Sequence, residues 1–225
     1  MKHLRKFETE AEKNAWREGD SHVTPNVVLT EGVVDYNVSA IRKGVFIQHI
    51  DGKLYTKEGW TNGGFSNDEA NGVAVCSDNA QFVVAKAGLG TNDWSSSDET
   101  AIDGIMLTSD SATAKTDFAG YNNTQLMLAT DTYGAGYSCA KYTFPNGQKG
   151  YLPALGELNE AYANKSAIDS LMTIIGGESL ANSYHWSSTQ YSSTGSWVLT
   201  WFNGDRDNAR KSTDKSVHPF TTLNL

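Results

Sequence analysis

The segment from Ser196 to Phe202 constrains the fold more than any other part of this chain. It reads SWVLTWF, and its side chains must alternate between two faces if it forms a strand. One face would carry Trp197, Leu199 and Trp201, and the other Val198, Thr200 and Phe202. Asn203-Gly204 follows directly and predicts a turn, because both residues tolerate positive φ. The pattern therefore predicts a strand with aromatic groups on both faces.

Two interpretations of this strand stay open at the level of sequence. The strand could be buried between two layers of the protein. Alternatively, one aromatic face could contact a partner, since tyrosine, tryptophan and arginine on rigid elements carry most of the energy of protein interfaces.

Composition and charge exclude several classes of protein. The 225 residues are enough for one large domain or a domain with an appendage, and 39% hydrophobic residues support a real core. A net charge of −8 argues against a general nucleic-acid-binding surface, which needs a basic stripe. The sequence has no membrane-length apolar run and no apolar signal-peptide core. We therefore expect a protein made in the cytoplasm, without a nucleic-acid partner or membrane insertion.

The chain carries no recognisable catalytic or metal-binding motif. Cys76 and Cys139 are the only cysteines, and neither belongs to a metal-ligand set, so free buried thiols are expected. The histidines lack ligand spacing, and the aspartates after residue 204 lack the glycine and glutamate of an EF-hand. Glu157 and Glu160 could act as an acid–base pair, but a solvated helix face is the favoured interpretation. We expect no cofactor, no metal and no catalytic residue.

The first half of the chain is predicted to be rich in hairpins. Residues 5–18 suit a short helix, whose narrow apolar stripe would need a partner to be stable. Three pairs of apolar runs around turn residues predict β-hairpins at residues 26–36, 45–56 and 72–85. Residues 59–71 are rich in glycine and asparagine and predict a domain boundary.

The second half is predicted to contain loops and helices before the aromatic strand. Residues 88–117 indicate a loop region that Trp94 would anchor. A short helix over residues 122–130 would be capped by Asn123 or Thr124. Two amphipathic helices are predicted, one from about Leu155 and one over 167–175.

Four motifs together resemble one family. They are Tyr151–Leu158 (YLPALGEL), Tyr184–Gln190 (YHWSSTQ), the alternating W-x-L-x-W-F-N-G from Trp197, and Val217–Phe220 (VHPF). They look like the C-type-lectin-like domain of the variable proteins of diversity-generating retroelements in gut Bacteroidetes and their phages. The chain departs from that pattern at His218, where arginine is usual, and at His185, within a more common double aromatic.

The resemblance implies a fold and a division of the chain. Residues 71–225 would form an α+β C-type-lectin-like domain, with two helices on a short twisted antiparallel sheet. Residues 1–70, ahead of the boundary predicted at 59–71, would form a small N-terminal region, a helix plus a β-hairpin, and the narrow apolar stripe of that helix predicts a role in attachment or in assembly of a homo-oligomer. The resemblance also implies a scaffold, made of Trp186, Ser187, Ser188, Trp197, Asn203, Gly204, Pro219 and Phe220.

The resemblance further implies which residues bind a ligand, because adenine mutagenesis varies the family's asparagine-rich positions. Here those positions carry side chains of scattered chemistry, which suits an exposed surface on a fixed scaffold. They are Tyr191, Ser193, Thr194, Gly195, Thr200, Trp201, Asp205, Asp207, Asn208, Ala209, Arg210, Ser212, Thr213 and Ser216. Trp201 and Arg210 are expected to be exposed interface residues. A plain solvated loop remains the alternative for residues 205–216.

The function that this resemblance implies is calcium-independent binding. The protein would be a phage or prophage receptor-binding protein, associated with the tail of a virion, that recognises a cell-surface protein or glycan. One alternative is an enzyme of the same fold related to formylglycine-generating enzymes. That enzyme would need a copper-binding cysteine pair in the C-terminal part, where Cys76 and Cys139 do not lie. Another alternative is a purely structural virion protein.

Overall fold

The structure is a computed structural model that describes residues 28–30, 33–35, 43–96, 100–130 and 132–224. Its helices are α1 (Lys57–Gly63), α2 (Ser111–Ala114), α3 (Gly120–Thr130), α4 (Gly134–Lys141), α5 (Leu155–Ala163) and α6 (Lys165–Ile174). Its first strands are β1 (Val28–Thr30), β2 (Val33–Asp35), β3 (Gly44–His49), β4 (Leu54–Tyr55), β5 (Ala70–Cys76) and β6 (Gln81–Val84). The later strands are β7 (Thr91–Asn92), β8 (Tyr184–Gln190), β9 (Gly195–Thr200), β10 (Arg206–Arg210), β11 (Lys215–Ser216) and β12 (Phe220–Thr222).

The strands form two sheets. The larger has seven strands in the order β1-β2-β4-β3-β5-β6-β12, and every neighbouring pair is antiparallel. The smaller has five strands in the order β10-β9-β8-β11-β7, in which β11 pairs with β8 in parallel. The α+β class expected from the sequence is confirmed. The sheets are more extensive, and the helices more numerous, than the two helices on one short sheet that the resemblance implied.

The three predicted hairpins form, because their turn residues lie between runs of strand-forming residues. β1 pairs with β2, β3 with β4, and β5 with β6. Gly52, in the turn between β3 and β4, has a φ of 93°, which the Asp51-Gly52 turn signal requires. The predicted helix over residues 5–18 lies outside the described residues.

The predicted boundary at residues 59–71 contains secondary structure. α1 begins after Thr56, whose hydroxyl accepts a hydrogen bond from the backbone N–H of Gly59 at 3.1 Å. Trp60 on this helix is 2% exposed and packs edge-on against Tyr55. Because β3 pairs with β5 across the segment, the division expected at residue 70 falls inside a continuous sheet. An attachment or assembly role for residues 1–70 stays a prediction.

Two helices fill the space between the sheets. α5 contacts β8 and β9 of the smaller sheet, whereas α6 contacts β3 and β5 of the larger one. Both helices present apolar residues every three or four positions, which buries Leu158 and Ala161 from α5 and Ile168 and Met172 from α6. Residues from both sheets and both helices form one hydrophobic cluster. The helix boundaries lie close to those predicted from the sequence.

The helix predicted over residues 122–130 forms, but the expected cap is wrong. α3 begins at Gly120, two residues earlier than expected. Asn123 and Thr124 are buried inside the helix instead of capping it, because their side chains are drawn to other segments. The Asn123 amide donates to Asp117 and Ser188, and the Thr124 hydroxyl accepts from the backbone N–H of Leu152.

Candidate ligand-binding surface

Three tryptophans connect the loops to the smaller sheet through hydrogen bonds from their indole N–H groups. Trp186 of β8 donates its indole N–H to the carbonyl of Asn92 at 2.9 Å, and Trp197 of β9 donates to the carbonyl of Thr108 at 2.9 Å. Trp94 donates in the opposite direction, from the loop to the carbonyl of Ser187, at 2.8 Å. All three indoles are buried. Large apolar rings with one polar atom can fill a core and still satisfy loop carbonyls, which explains the predicted anchoring by Trp94.

The hydroxyl-rich part of β8 is buried and hydrogen bonded. The pairing of β8 with β9 is irregular between Trp186 and Gln190, which leaves backbone carbonyls without ladder partners. The hydroxyl of Ser187 donates to the carbonyl of Trp197 at 2.9 Å, and that of Ser196 donates to the carbonyl of Thr189 at 2.6 Å. The expected burial of Trp186, Ser187, Ser188 and Trp197 is confirmed.

The other expected scaffold residues divide by exposure. Gly204, Pro219 and Phe220 are buried, and Phe220 stacks on Phe82 with ring centroids 4.7 Å apart. Asn203 is exposed in the turn that was predicted from Asn203-Gly204. Its side-chain oxygen accepts from the backbone N–H of Asp205 at 3.1 Å, so its contribution is to the shape of the turn.

Twelve of the fourteen expected ligand-binding residues are exposed or half-buried. Fully exposed are Ser193, Asp205, Asp207, Asn208, Arg210 and Ser212. Half-buried are Tyr191, Thr194, Thr200, Ala209, Thr213 and Ser216. The segment expected as an irregular run from residue 205 to 216 contains two strands, β10 and β11, because β10 pairs along most of β9.

The structure brings most of these residues onto one edge of the smaller sheet. β10 is the edge strand, and Arg210 at its end pairs with Gly195 at the start of β9. The turn that contains Thr194 is therefore next to the turn after Arg210, and the N–H of Lys211 donates to the carbonyl of Thr194 at 3.0 Å. We call β10 with the adjoining turns at residues 191–194 and 212–213 the β10 edge.

Two groups of expected residues lie away from that end. Thr200 and Asp205 are at the opposite end of β9, which puts them about 17 Å from Gly195 at about 3.4 Å per residue. Ser216 lies on β11, on the far side of β8, where its hydroxyl is 2.5 Å from that of Ser183. A single flat contact area centred on β10 therefore cannot include Ser216.

The expectation that Trp201 is exposed is wrong. Its side chain is 0% exposed, because Tyr162 of α5 packs edge-on against it with ring centroids 5.7 Å apart. The ammonium group of Lys165 lies 5.3 Å from the centre of the indole and covers it from another side. The neighbouring Phe202 is the exposed aromatic residue, at 75%. The interpretation of β9 as a strand buried between two layers is the one that the structure supports.

Gly195 is also buried, which limits what can replace it. A Cβ at this position would meet the hydroxyl of Ser192 at 3.3 Å and the carbonyl of Ala209 at 3.4 Å. A small side chain requires slight movement there, and a large one does not fit. Gly195 therefore supports the β9–β10 hairpin instead of contacting a ligand.

Lys211 holds the β10 edge in place, although sequence reasoning did not single it out. Its side chain is 0% exposed, and its ammonium group donates to the carbonyl of Thr100 at 2.8 Å and to the side-chain oxygen of Gln190 at 2.9 Å. It also lies 4.6 Å from the ring centre of Trp94. Burial lowers the pKa of Lys211 to about 8. A lysine in a polar run gives no sequence signal for burial.

Glu157 is buried, which contradicts the solvated helix face favoured from the sequence. Its carboxyl group accepts from the Tyr151 hydroxyl at 2.9 Å and from the backbone N–H of Ala154 at 2.8 Å, at the start of α5. Burial raises the pKa of Glu157 to about 8. Glu160 instead accepts from the side chain of Asn79 at 2.7 Å. The two carboxyl groups therefore have separate structural partners.

Both cysteines are buried free thiols, as expected. Cys76 belongs to the hydrophobic cluster that contains Phe46 and Phe144, and Cys139 belongs to the hydrophobic cluster that contains Trp94. Burial raises the pKa of Cys76 to about 12 and that of Cys139 further. Within the described ranges, no three His, Cys, Asp or Glu side chains converge as a metal site would require. None of the helices in the described ranges is long and apolar enough to cross a membrane.

The fold and the surface define a mixed α+β protein with two sheets and an exposed polar edge strand. No family model matches the chain, and no curated protein matches it. The crystal structure of a fimbrial protein from Bacteroides ovatus ATCC 8483 is similar, with a TM-score of 0.56 over 81% of this chain and 13% sequence identity. The match covers 49% of that fimbrial chain, so this chain spans about half of its length. Identity this low relates the folds alone.

Proposed function

We propose that this chain is a binding protein that presents the β10 edge to a receptor on a C-type-lectin-like scaffold. The observation that carries the proposal is the contrast between two sets of residues. Twelve of the fourteen residues expected to bind ligand are exposed or half-buried, whereas the hydroxyls and indoles beneath them are buried and hydrogen bonded. Such a surface can change in sequence while the support below it stays fixed.

The chemistry of the β10 edge suits a polar receptor. Asp207, Asn208 and Arg210 are exposed on the strand, and hydroxyl groups of the adjoining turns surround them. Among the described strands β10 pairs with β9 alone, and an extended segment of a protein can add to such an edge strand. A cell-surface protein or glycan is the receptor class that we propose, and a diversity-generating retroelement is the proposed source of variation. A phage or prophage tail is the proposed setting.

Binding to whole bacterial cells tests this function. The fluorescently labelled chain would be titrated against gut Bacteroidetes cells, and Asn208→Ala and Arg210→Ala would each weaken binding at least about tenfold, or roughly 1.4 kcal/mol. Glu58→Ala, on the exposed side of α1, is the matched control and would leave binding unchanged. Equal binding by all four proteins, with unchanged melting temperatures, would contradict a receptor site at the β10 edge.

The genomic sequence tests the proposed source of variation separately. A near-copy of the codons for residues 184–220, beside a reverse-transcriptase gene and differing mainly at template adenines, is the expected arrangement. Absence of such a copy would remove the retroelement while leaving receptor binding to be judged by the cell assay.

A subunit of a surface appendage is the second candidate, and the similarity to a fimbrial protein favours it. Such a subunit would assemble into filaments through its sheet edges, which in the described strands are β1 and β12 of the larger sheet and β10 and β7 of the smaller one. Electron microscopy of the concentrated protein distinguishes the candidates, because an appendage subunit would form regular filaments. The enzyme alternative has less support, since buried thiols of raised pKa are poor nucleophiles and poor metal ligands.

A further inference from the structure

A cleft of about 330 Å³ lies at the edge of the smaller sheet opposite to β10. Its walls come from three segments, at residues 88–91, 178–181 and 216–218, together with His185 of β8. The volume is within the range of small-molecule sites, which begins at about 300 Å³. The cleft shares only Ser216 with the residues expected to bind a receptor, so it is a separate site.

Two buried histidines line this cleft, and both have a fixed tautomer. The Nε2 atom of His185 lies 2.8 Å from the carbonyl oxygen of Ala181, and that of His218 lies 2.8 Å from the carbonyl oxygen of Ala85. A carbonyl oxygen can only accept, so each Nε2 carries the hydrogen. Burial lowers the pKa of both rings, that of His218 to about 4. At neutral pH each Nδ1 is therefore a bare acceptor.

Neither acceptor has a partner within the described part of the chain. The Nδ1 atom of His185 is buried and has no hydrogen-bond partner among the described residues. The Nδ1 atom of His218 is next to Gly88, where a Cβ would approach it to 3.3 Å. The missing side chain at Gly88 leaves that nitrogen open to the cleft. Buried polar atoms are almost always hydrogen bonded, so the unpartnered Nδ1 of His185 indicates a missing donor, and Nδ1 of His218 is a second acceptor at the same cleft.

The other lining groups indicate the charge of that donor. Among the described residues that line the cleft, Glu178 at the exposed rim is the one charged residue, and the rest are histidines, glycines, hydroxyl-bearing residues and small apolar ones. An anion would be repelled by the carboxylate of Glu178 and by the lone pairs of the two Nδ1 atoms, and no positively charged residue among the described lining residues would compensate. An ammonium ion would lose its hydration beside two neutral rings, with only an exposed carboxylate to compensate. A neutral hydroxyl group meets neither difficulty.

We propose that this cleft binds a small neutral polyol, with one hydroxyl donating to Nδ1 of His218 and another to Nδ1 of His185. The two ring centroids are 6.5 Å apart, which is a separation that one small polyol can span. Ser216 in the wall of the cleft, whose hydroxyl lies 2.5 Å from that of Ser183, offers a further partner. The β10 edge takes no part in this site.

Imidazole nitrogen NMR of the ¹⁵N-labelled full chain at pH 7 tests the proposal. The probes are glycerol and glucose, with methylammonium and phosphate as the charged alternatives. With a polyol, the Nδ1 signals of His185 and His218 shift and saturate. The ring of His49, which lies beside Asp51 and Glu69 on the larger sheet, serves as the internal control and stays unchanged.

Two variants block the cleft in different ways. Gly88→Val fills the space beside Nδ1 of His218, and Ser179→Tyr fills the mouth from an exposed position that tolerates a larger side chain. Each would raise the polyol Kd at least about tenfold, and Ser179→Tyr keeps the test valid if Gly88→Val does not fold. Glu58→Gln, on the exposed side of α1 and outside the lining of the cleft, is the matched control, with a Kd within about twofold of that of the parent chain.

Three results would overturn the proposal. The first is a shift that grows linearly with polyol and never saturates. The second is polyol binding of equal strength in the parent chain and in Ser179→Tyr. The third is saturation by methylammonium or phosphate but not by either polyol. Loss of cell binding by the β10-edge variants with polyol binding retained would separate this site from the proposed receptor function.

Discussion

At the scale of single residues, Trp201 illustrates how far a local pattern can mislead. Its place among the variable positions that the resemblance implies, with Arg210 and hydroxyl-bearing residues around it, predicts an exposed interface residue. Tyr162 and Lys165, some forty positions earlier in the chain, cover it completely. The covering groups come from α5 and the start of α6. The residues next to Trp201 in the sequence therefore cannot reveal that it is buried.

Trp201→Ala should therefore lower the free energy of unfolding of the protein and should not affect binding alone. Removal of a buried indole costs about 3–5 kcal/mol of unfolding free energy, because the cavity is not refilled. Urea unfolding followed by circular dichroism measures this cost. Phe202→Ala is the neighbouring control, and at 75% exposure it should change stability by less than about 0.5 kcal/mol. A Trp201→Ala variant as stable as Phe202→Ala would contradict the burial of the indole.

Glu157 gives the protein a dependence of stability on pH. Its folded pKa of about 8 lies above the ordinary value of 4.5, so the folded state holds a proton that the unfolded state has released. The stabilisation is complete below the unfolded pKa and is lost as the pH rises through the folded pKa. His218 has a lowered pKa and acts in the opposite direction, with its effect confined to about pH 4 to 6.5.

Between pH 6.5 and 8, the free energy of unfolding should therefore decrease as the pH rises, with a limit of about 1.4 kcal/mol per pH unit for one proton. Urea titrations at several pH values measure the slope. Glu157→Gln keeps a hydrogen-bonding side chain without a titrating proton, so the slope in this window should disappear. An equal slope in both proteins would assign the dependence to another group.

At the scale of elements, the turn between β9 and β10 depends on a contact with a distant helix. Gly204 has a φ of 75°, and a Cβ at this position would approach the ring of Tyr162 to 2.2 Å. The turn signal in the sequence is local, but the close approach to α5 is not. The hairpin is thus fixed both by its own backbone and by the helix beneath it.

Gly204→Ala should destabilise the protein by about 2–5 kcal/mol, since backbone strain of about 1–2 kcal/mol adds to overpacking of about 1–3 kcal/mol. Gly147→Ala provides the matched control, because Gly147 has a φ of 88° but a Cβ added there would meet nothing within 4 Å. The control should show the backbone contribution alone. If chemical denaturation showed the same loss of stability for Gly204→Ala and Gly147→Ala, the ring of Tyr162 would move aside without an energetic penalty, which would contradict the prediction.

The elements that could be predicted from the sequence are those with local signals. Asp51-Gly52 marks the β3–β4 turn, and α5 and α6 follow from apolar periodicity. The partners that complete the sheets could not be predicted, because β3 pairs with β5 across α1, and β12 pairs with β6 from the other end of the chain. In the candidate site, exposure of Asp207 and Arg210 was predictable from polarity, whereas the burial of Lys211 depends on Trp94 and Gln190.

At the scale of the whole molecule, the larger sheet and the hydrophobic cluster behind it require residues 43–70. Ile47, Tyr55 and Trp60 belong to the same hydrophobic cluster as Leu158 and Leu199. Removal of the residues before 71 would take β3 away from β5. It would expose residues of β5, which are all buried in the complete protein. A division at residue 70 therefore cuts through a core.

A chain that starts at residue 71 should not unfold cooperatively, whereas a chain that starts at residue 43 should. Differential scanning calorimetry of both chains and of the full protein measures this, and light scattering on the same samples reports whether residues 1–42 mediate oligomer formation. A sharp transition at the parental temperature in the shorter chain would restore the two-region division.

The positions of β11 and β12 determine when the protein can fold during synthesis. β11 inserts between β7 and β8, and Phe220 of β12 stacks on Phe82 of β6. The smaller sheet lacks β11 until Ser216 has left the ribosome, and the larger sheet lacks β12 until Thr222 has. While more than half of the chain is made, β6 therefore lacks one of its two partners, and β7 lacks its one partner among the described strands. Strand edges that stay open during synthesis invite wrong pairing, and contacts this distant in sequence form slowly. Assistance from a chaperone during translation would therefore benefit this protein more than a chain of equal length whose strands pair in order.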